Sequence, residues 1–208
     1  MNVLAIGAHY DDIELGCAGA LIKHVQNNDK VTIFVATDSS YATPDNRLVR
    51  EKTKAAAEGD AAAIIIGADL VRFNLETFQV FFNEELTAGI LHQVETLKID
   101  TIYAPWIHDI HRDHQNAGKA AMMAGRHVPR FLMYQPNWYN SDQTFKKQIF
   151  KDISDVFQLK LKAVNAHKSE IKRTGNKWID YVTHTNRLDG LKVGVEYAES
   201  FEVIRYLI

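Results

Sequence analysis

Short apolar, β-branched runs alternate with helical stripes along the chain, and this alternation constrains the fold more than any other property of the sequence. Val3 to Gly7 is an apolar run stopped by glycine, so it reads as a buried strand. Val31–Thr37, Leu70–Phe73, Thr101–Ala104, Phe131–Tyr134 and Glu202–Leu207 read as further strands. Between them, Ile13, Leu15, Ala18, Leu21, Ile22 and Val25 recur at helical spacing, and Phe82, Leu86, Ile90, Val94 and Leu97 form a second stripe. Leu48–Gly67 is Ala-rich and reads as a helix stopped by Gly67. Further helices are expected over 113–125 and, as one long element, over 143–166. Strands alternating with helices fold as right-handed βαβ units, so the expected class is α/β, with a mostly parallel sheet flanked by helices. No repeat or Pro/Gly/Ser-rich linker interrupts the pattern, and the expectation is one domain over residues 1–208.

Composition narrows the function. A formal net charge of -2 without a basic block leaves no electrostatic footprint for nucleic acid. No apolar run approaches the ~20 residues of a membrane span. The first residues, Met1-Asn2-Val3-Leu4-Ala5-Ile6, lack a basic n-region and read as a strand. The expectation is therefore a soluble cytoplasmic protein with no membrane or nucleic-acid partner. A single cysteine excludes a Cys-rich metal site, whereas nine histidines leave imidazole and carboxylate to hold any metal.

In open α/β sheets, ligands bind beyond the carboxyl ends of the strands. Two polar clusters fall there: Ala8-His9-Tyr10-Asp11-Asp12-Ile13-Glu14-Leu15-Gly16 after the first strand, and His108-Asp109-Ile110-His111-Arg112-Asp113-His114 after Thr101–Ala104. Both loops should face one crevice. A hydrolytic zinc site needs three N or O ligands with an open position, a base for the water proton and a donor for the developing oxyanion. His9 and Asp12 are neighbours at a turn into a helix. Of the adjacent Asp11 and Asp12, one can ligate while the other serves as base. His114 opens the later helix and can be the third ligand, and His111 can be a cationic donor paired with Asp113.

These residues carry a family resemblance. The first cluster resembles the His-Pro-Asp-Asp-x-Glu motif of the LmbE/PIG-L zinc-dependent N-deacetylases. The second resembles that family's Asp-x-His-x-Asp-His signature, as Asp109, His111, Asp113 and His114. Arg50-Glu51 before the Ala-rich helix, His167-Lys168-Ser169-Glu170, and Glu196-Tyr197-Ala198-Glu199-Ser200-Phe201 are similar to later family segments. The resemblance implies a Rossmann-like, LmbE-like fold and a zinc-dependent hydrolase that removes an N-acetyl group from an amino-sugar conjugate. It implies one zinc ion per chain on His9, Asp12 and His114. Asp11 would be the general base and later the acid for the amine. His111 would steady the oxyanion, oriented by Asp113. Arg50 would hold a sugar hydroxyl or phosphate. The resemblance and the apolar helices are compatible with a homo-oligomer.

Tyr10 and Arg112 stand where the family usually has proline, and Glu170 stands where it has glutamine. Tyr10 and Arg112 are therefore candidates to face substrate. Glu14 reads either as a helix-dipole partner or as support for the site. His167 reads either as the C-terminal cap of the long helix or as a site contact. His108 reads as a loop histidine, with fourth ligand as the alternative. His24, His92, His127 and His184 read as surface or capping residues. Trp106, Trp138 and Tyr139 read either as sugar-stacking groups or as loop packing. Two other functions compete. A non-catalytic sugar- or nucleotide-binding protein would want a G-x-G-x-x-G loop, which Gly7-Ala8-His9 and Gly16 do not form. A two-metal phosphoesterase would want more bridging carboxylates than this loop pair supplies.

Overall fold

In the computed structural model, which describes residues 1–208, the chain runs β1 (Asn2–Gly7), α1 (Asp12–Gly16), α2 (Ala18–Gln26), β2 (Lys30–Thr37), β3 (Tyr41–Ala42), β4 (Leu48–Arg50), α3 (Lys52–Ile66), β5 (Asp69–Leu75) and α4 (Glu84–Thr96). It continues β6 (Thr101–Pro105), α5 (Arg112–Ala124), β7 (Arg130–Tyr134), β8 (Ile149–Asp152), α6 (Phe157–Ala166), α7 (Lys168–Thr174), α8 (Lys177–Val193) and β9 (Ala198–Tyr206). Seven strands form one sheet in the order β5-β2-β1-β6-β7-β9-β8. The five from β5 to β7 are parallel, and β9 joins β7 and β8 antiparallel. The expected α/β architecture is present. The strand β1 is apolar on both sides because both faces are covered: Val3 and Ala5 join one core, Leu4 and Ile6 the other.

Strand order reverses between β1 and β6. From β1 the chain builds outward through β2 to β5, then returns to lay β6 on the other side of β1. The two polar clusters leave the carboxyl ends of these two neighbours, which is what brings them together.

Three stretches differ from the sequence expectation, each for a physical reason. The helix after β1 is two helices, broken at Cys17 with φ -146° and ψ 9°. The groups freed at the break are satisfied by a buried ion pair. Glu199 accepts from the Gly19 and Ala20 amides at 2.8 and 2.7 Å, while the Lys160 ammonium donates to Leu15 C=O at 3.1 Å and to Glu199 at 2.6 Å. Leu48–Arg50 is not the start of a helix but a strand paired with β3, and this hairpin aims Arg50 at the loop after β1. The expected long helix over 143–166 is helical only from Phe157, because Ile149–Asp152 pairs with the open edge of β9. Helices α7 and α8 had no expectation. The buried stripe of α8 includes Asn186 and Asp189, which dilute its apolar periodicity.

Lys160 and Glu199 are both fully buried, so removing one leaves an uncompensated charge. Lys160→Met is expected to lower stability by about 3–5 kcal/mol. Urea denaturation measures this as a lower transition midpoint at unchanged slope.

Candidate metal centre and active site

Polar side chains of three residues crowd together where the loops after β1 and β6 meet. His9 Nδ1 lies 3.2 Å from His114 Nε2, and the Asp12 carboxylate faces both, with Oδ2 3.5 Å from His9 Nδ1 and Oδ1 3.0 Å from His114 Nε2. Ligands on a tetrahedral ion at ~2.0–2.1 Å stand roughly 3.3 Å apart. The separation of the two nitrogens is close to that edge length, and the carboxylate spans the third side. All three residues are buried, with His9 8%, Asp12 2% and His114 5% exposed.

The far side of each imidazole is backed by a carboxylate. His9 Nε2 lies 3.2 Å from Asp113 Oδ2. His114 Nδ1 lies 3.3 Å from Asp109 Oδ1, without a well-aligned hydrogen bond. A carboxylate at one ring nitrogen holds the proton there and leaves the other nitrogen a lone pair, which is the usual support of metal-ligating histidines. With the ring protons turned to these carboxylates, His9 Nδ1 and His114 Nε2 present lone pairs to each other, an arrangement that a cation between them satisfies. Burial disfavours charge on both rings, but Asp12, with Asp113 at His9 and Asp109 at His114, outweighs it. His9 is pushed up to about 9 and His114 up to about 10. Burial works against the Asp12 carboxylate too, but His114 and His9 hold it well below the usual range.

His111 is the third imidazole within reach, and its ligand atom, like those of His9 and His114, lies within 4.8 Å of the others. It is built differently. His111 Nδ1 accepts from the Asp113 amide at 3.2 Å, so the proton of the neutral ring sits on Nε2. Burial, reinforced by His9 and His114, brings its pKa down to about 4. This environment favours a neutral N–H donor at His111 over the cationic donor expected.

Asp113 is the next correction. Its carboxylate does not orient His111; it takes His9 Nε2 and the Phe78 amide, the latter at 2.7 Å. Only its backbone N–H reaches His111. Tyr10 does not face the cavity: its ring is 3% exposed and packs against Gly59 of α3, where a Cβ would come within 2.3 Å of it. Arg112 turns its guanidinium to Phe78 C=O at 2.6 Å.

Asp11 lines the cavity, and Arg50 grips its Oδ2 at 2.8 Å. Arg50 also reaches Glu58 and His167 Nδ1, both at 3.2 Å. Its guanidinium thus holds Asp11, Glu58 and His167 while also lining the cavity. His167 stands at the junction of α6 and α7, fully buried, with Nε2 3.5 Å from Glu14 Oε2. Burial pushes the Glu14 carboxyl up and opposes charge on His167, but Glu14 outweighs that and His167 also rises. Glu58, which the sequence reading missed, accepts from Ser169 N–H and Oγ at 2.7 and 2.6 Å. Its signal was present as an acid on the buried face of an Ala-rich helix. His24 is not a surface residue either; it is 7% exposed, between Asp29 and Tyr103.

The cavity above these groups holds about 370 Å³. Its lining includes the polar Ser39, Tyr41, Glu170 and Asn137; Phe78, Ile110, Trp138 and Tyr139 present exposed apolar surface at the mouth. Trp106, by contrast, is buried and does not line it.

The family model for the GlcNAc-PI de-N-acetylases (PIG-L) matches residues 4–125, which contain both loops. The chain belongs to this family. A protein of Escherichia coli (strain K12) described as the uncharacterized deacetylase YaiS is 30% identical over 174 residues, covering 81% of this chain and 91% of that one. The diacetylchitobiose deacetylase of Thermococcus kodakarensis is 25% identical over 230 residues, covering 98% and 83%. The fold is shared with the N,N'-diacetylchitobiose deacetylase of Pyrococcus horikoshii at a TM-score of 0.84 and 20% identity, over 98% of this chain and 83% of that one. No helix is long and apolar enough to cross a membrane.

Because His9 and His114 hold protons above their ordinary 6.5, a metal entering at pH 7 must displace them. Apparent metal affinity should rise with pH, about tenfold per unit for each proton displaced, and flatten only above the raised pKa values. Calorimetric titration in two buffers of different protonation enthalpy should register one to two protons released per ion; release of none contradicts the raised affinity of His9 and His114 for protons.

Proposed function

We propose that this chain, working as one domain, is a metal-dependent amide hydrolase that removes an N-acetyl group from a small amino-sugar conjugate. The observation that carries the reading is the pair of facing imidazole lone pairs closed by Asp12, with Asp11 and His111 beside it. His9, Asp12 and His114 would hold one divalent ion, zinc by the chemistry of its nitrogen and oxygen donors. When bound, such an ion acidifies water toward a pKa of ~7 and polarises an acyl carbonyl.

The chain's own residues supply the rest. Asp11, fixed by Arg50, takes the proton of the attacking water as the new C–O bond forms. His111 presents its Nε2–H to the oxygen that gains charge, and Asp113 N–H at Nδ1 keeps the proton on that side. A neutral donor suits this role because it need not lose a proton to the oxyanion. As the C–N bond breaks, Asp11 returns its proton to the departing amine, which leaves acetate and a free amino sugar. The diacetylchitobiose deacetylase relative supports an N-acetyl sugar as substrate. The polar residues lining the cavity suit sugar hydroxyls, and Trp138 and Tyr139 at its mouth offer faces for a sugar ring.

A panel of N-acetylglucosamine conjugates, assayed for acetate release, tests the proposal. Chelation should abolish release and zinc should restore it. Asp11→Asn should lower kcat by about 10²–10⁴-fold while metal content stays at one ion per chain. Release that survives metal removal or the loss of Asp11 overturns the mechanism.

A further inference from the structure

Asn137 belongs to neither motif. It lies in the segment that leaves β7, the strand beside β6. Its amide nitrogen Nδ2 donates to both oxygens of Asp109, at 2.9 Å to Oδ1 and 2.8 Å to Oδ2. A nitrogen shared evenly by two carboxylate oxygens sits on the axis of that carboxylate and fixes where the group points, but it leaves rotation about the axis free. The His111 N–H removes that freedom, because it donates to Oδ1 alone, at 2.7 Å. Together the two donors set Oδ1 3.3 Å from His114 Nδ1. That last contact is the loosest of the set, so it persists only while the tighter ones hold the carboxylate. Asp109 is 2% exposed, and its Oδ2 has Asn137 as its hydrogen-bond donor.

Asn137 is itself anchored. Its Oδ1 accepts from the Tyr139 N–H at 3.0 Å, closing a turn of the kind asparagine favours. Its C=O accepts from the Tyr181 hydroxyl of α8 at 2.9 Å. These partners also fix which way round the amide sits: Oδ1 faces a donor and Nδ2 faces a carboxylate, whereas the reversed amide would set oxygen against oxygen.

We propose that Asn137 is a positioning residue for the metal centre, acting through Asp109 on His114. This rests on the reading of His9, Asp12 and His114 as the ligands of one ion. A ligating imidazole keeps its aim when an acceptor of fixed direction holds its far N–H. For His114 that acceptor is Asp109, and Asp109 takes its direction from Asn137. Without the amide the carboxylate tilts away, His114 Nδ1–H loses its acceptor, and the ring is no longer held with Nε2 toward Asp12. The segment after β7 thereby supports a centre whose ligands come from the loops after β1 and β6.

The zinc dissociation constant, read by competition with a chromophoric chelator, tests this without any substrate. Asn137→Ala should weaken zinc binding by about tenfold or more, and Asp109→Ala by about 10–100-fold. With Asp109 already replaced by alanine, Asn137→Ala should cost about twofold at most, because the two residues act in series. Asn137→Ser keeps an oxygen for the Tyr139 amide but lacks the reach to Asp109, so it should bind zinc as weakly as Asn137→Ala. It also reads the same constant if the alanine variant fails to fold. A folded Asn137 variant with wild-type zinc affinity, an equal loss with and without Asp109, or full recovery in Asn137→Ser overturns the inference and leaves the ligand set intact. A wild type that binds no zinc overturns both.

Discussion

The site is organised around two imidazole nitrogens that face each other 3.2 Å apart, each a lone pair because a carboxylate claims the opposite side of its ring. Such an arrangement is unfavourable without positive charge between the rings. Asp12 supplies the counter-charge for that cation. The same reasoning separates the three histidines of the cluster. His9 and His114 are backed by acceptors and point lone pairs inward, whereas His111 is backed by a donor and points a proton inward. In the proposed assignment, ligand and oxyanion donor thus differ by one hydrogen bond on the remote nitrogen.

Holding that geometry falls to buried charge elsewhere. The Lys160–Glu199 pair satisfies the backbone at the break between α1 and α2, so the chain can turn sharply after delivering His9, Asp11 and Asp12. Arg50, Glu58, His167 and Glu14 form a second buried network whose outermost contact is Asp11. The proposed base is therefore held by Arg50 at the cavity wall, with the buried Glu58, His167 and Glu14 behind it.

Much of this was legible in the sequence. The β1 and β6 runs end in the two polar clusters, and parallel pairing of those neighbours brings the clusters together. What the sequence concealed depended on long-range partners. The helix break at Cys17 is announced in the sequence only by Gly16, because the partners that satisfy its freed backbone groups, Lys160 and Glu199, lie 143 and 182 residues downstream. The strand at Ile149–Asp152 depends on the free edge of β9. Tyr10 was read as facing substrate on the strength of its position in the motif, but the gap above Gly59 draws its ring into the core. Asp113 was read as the partner of the nearest histidine in sequence, yet its carboxylate reaches across to His9.

The ligand set is the claim on which the account turns, and anomalous diffraction from zinc-loaded crystals tests it most directly. The account predicts one ion per chain at ~2.0–2.1 Å from His9 Nδ1, His114 Nε2 and an Asp12 oxygen, with the His111 Nε2–H and Asp11 left free beside it. An ion bound instead by His9, His111 and His114, with Asp12 outside its coordination sphere, would contradict it.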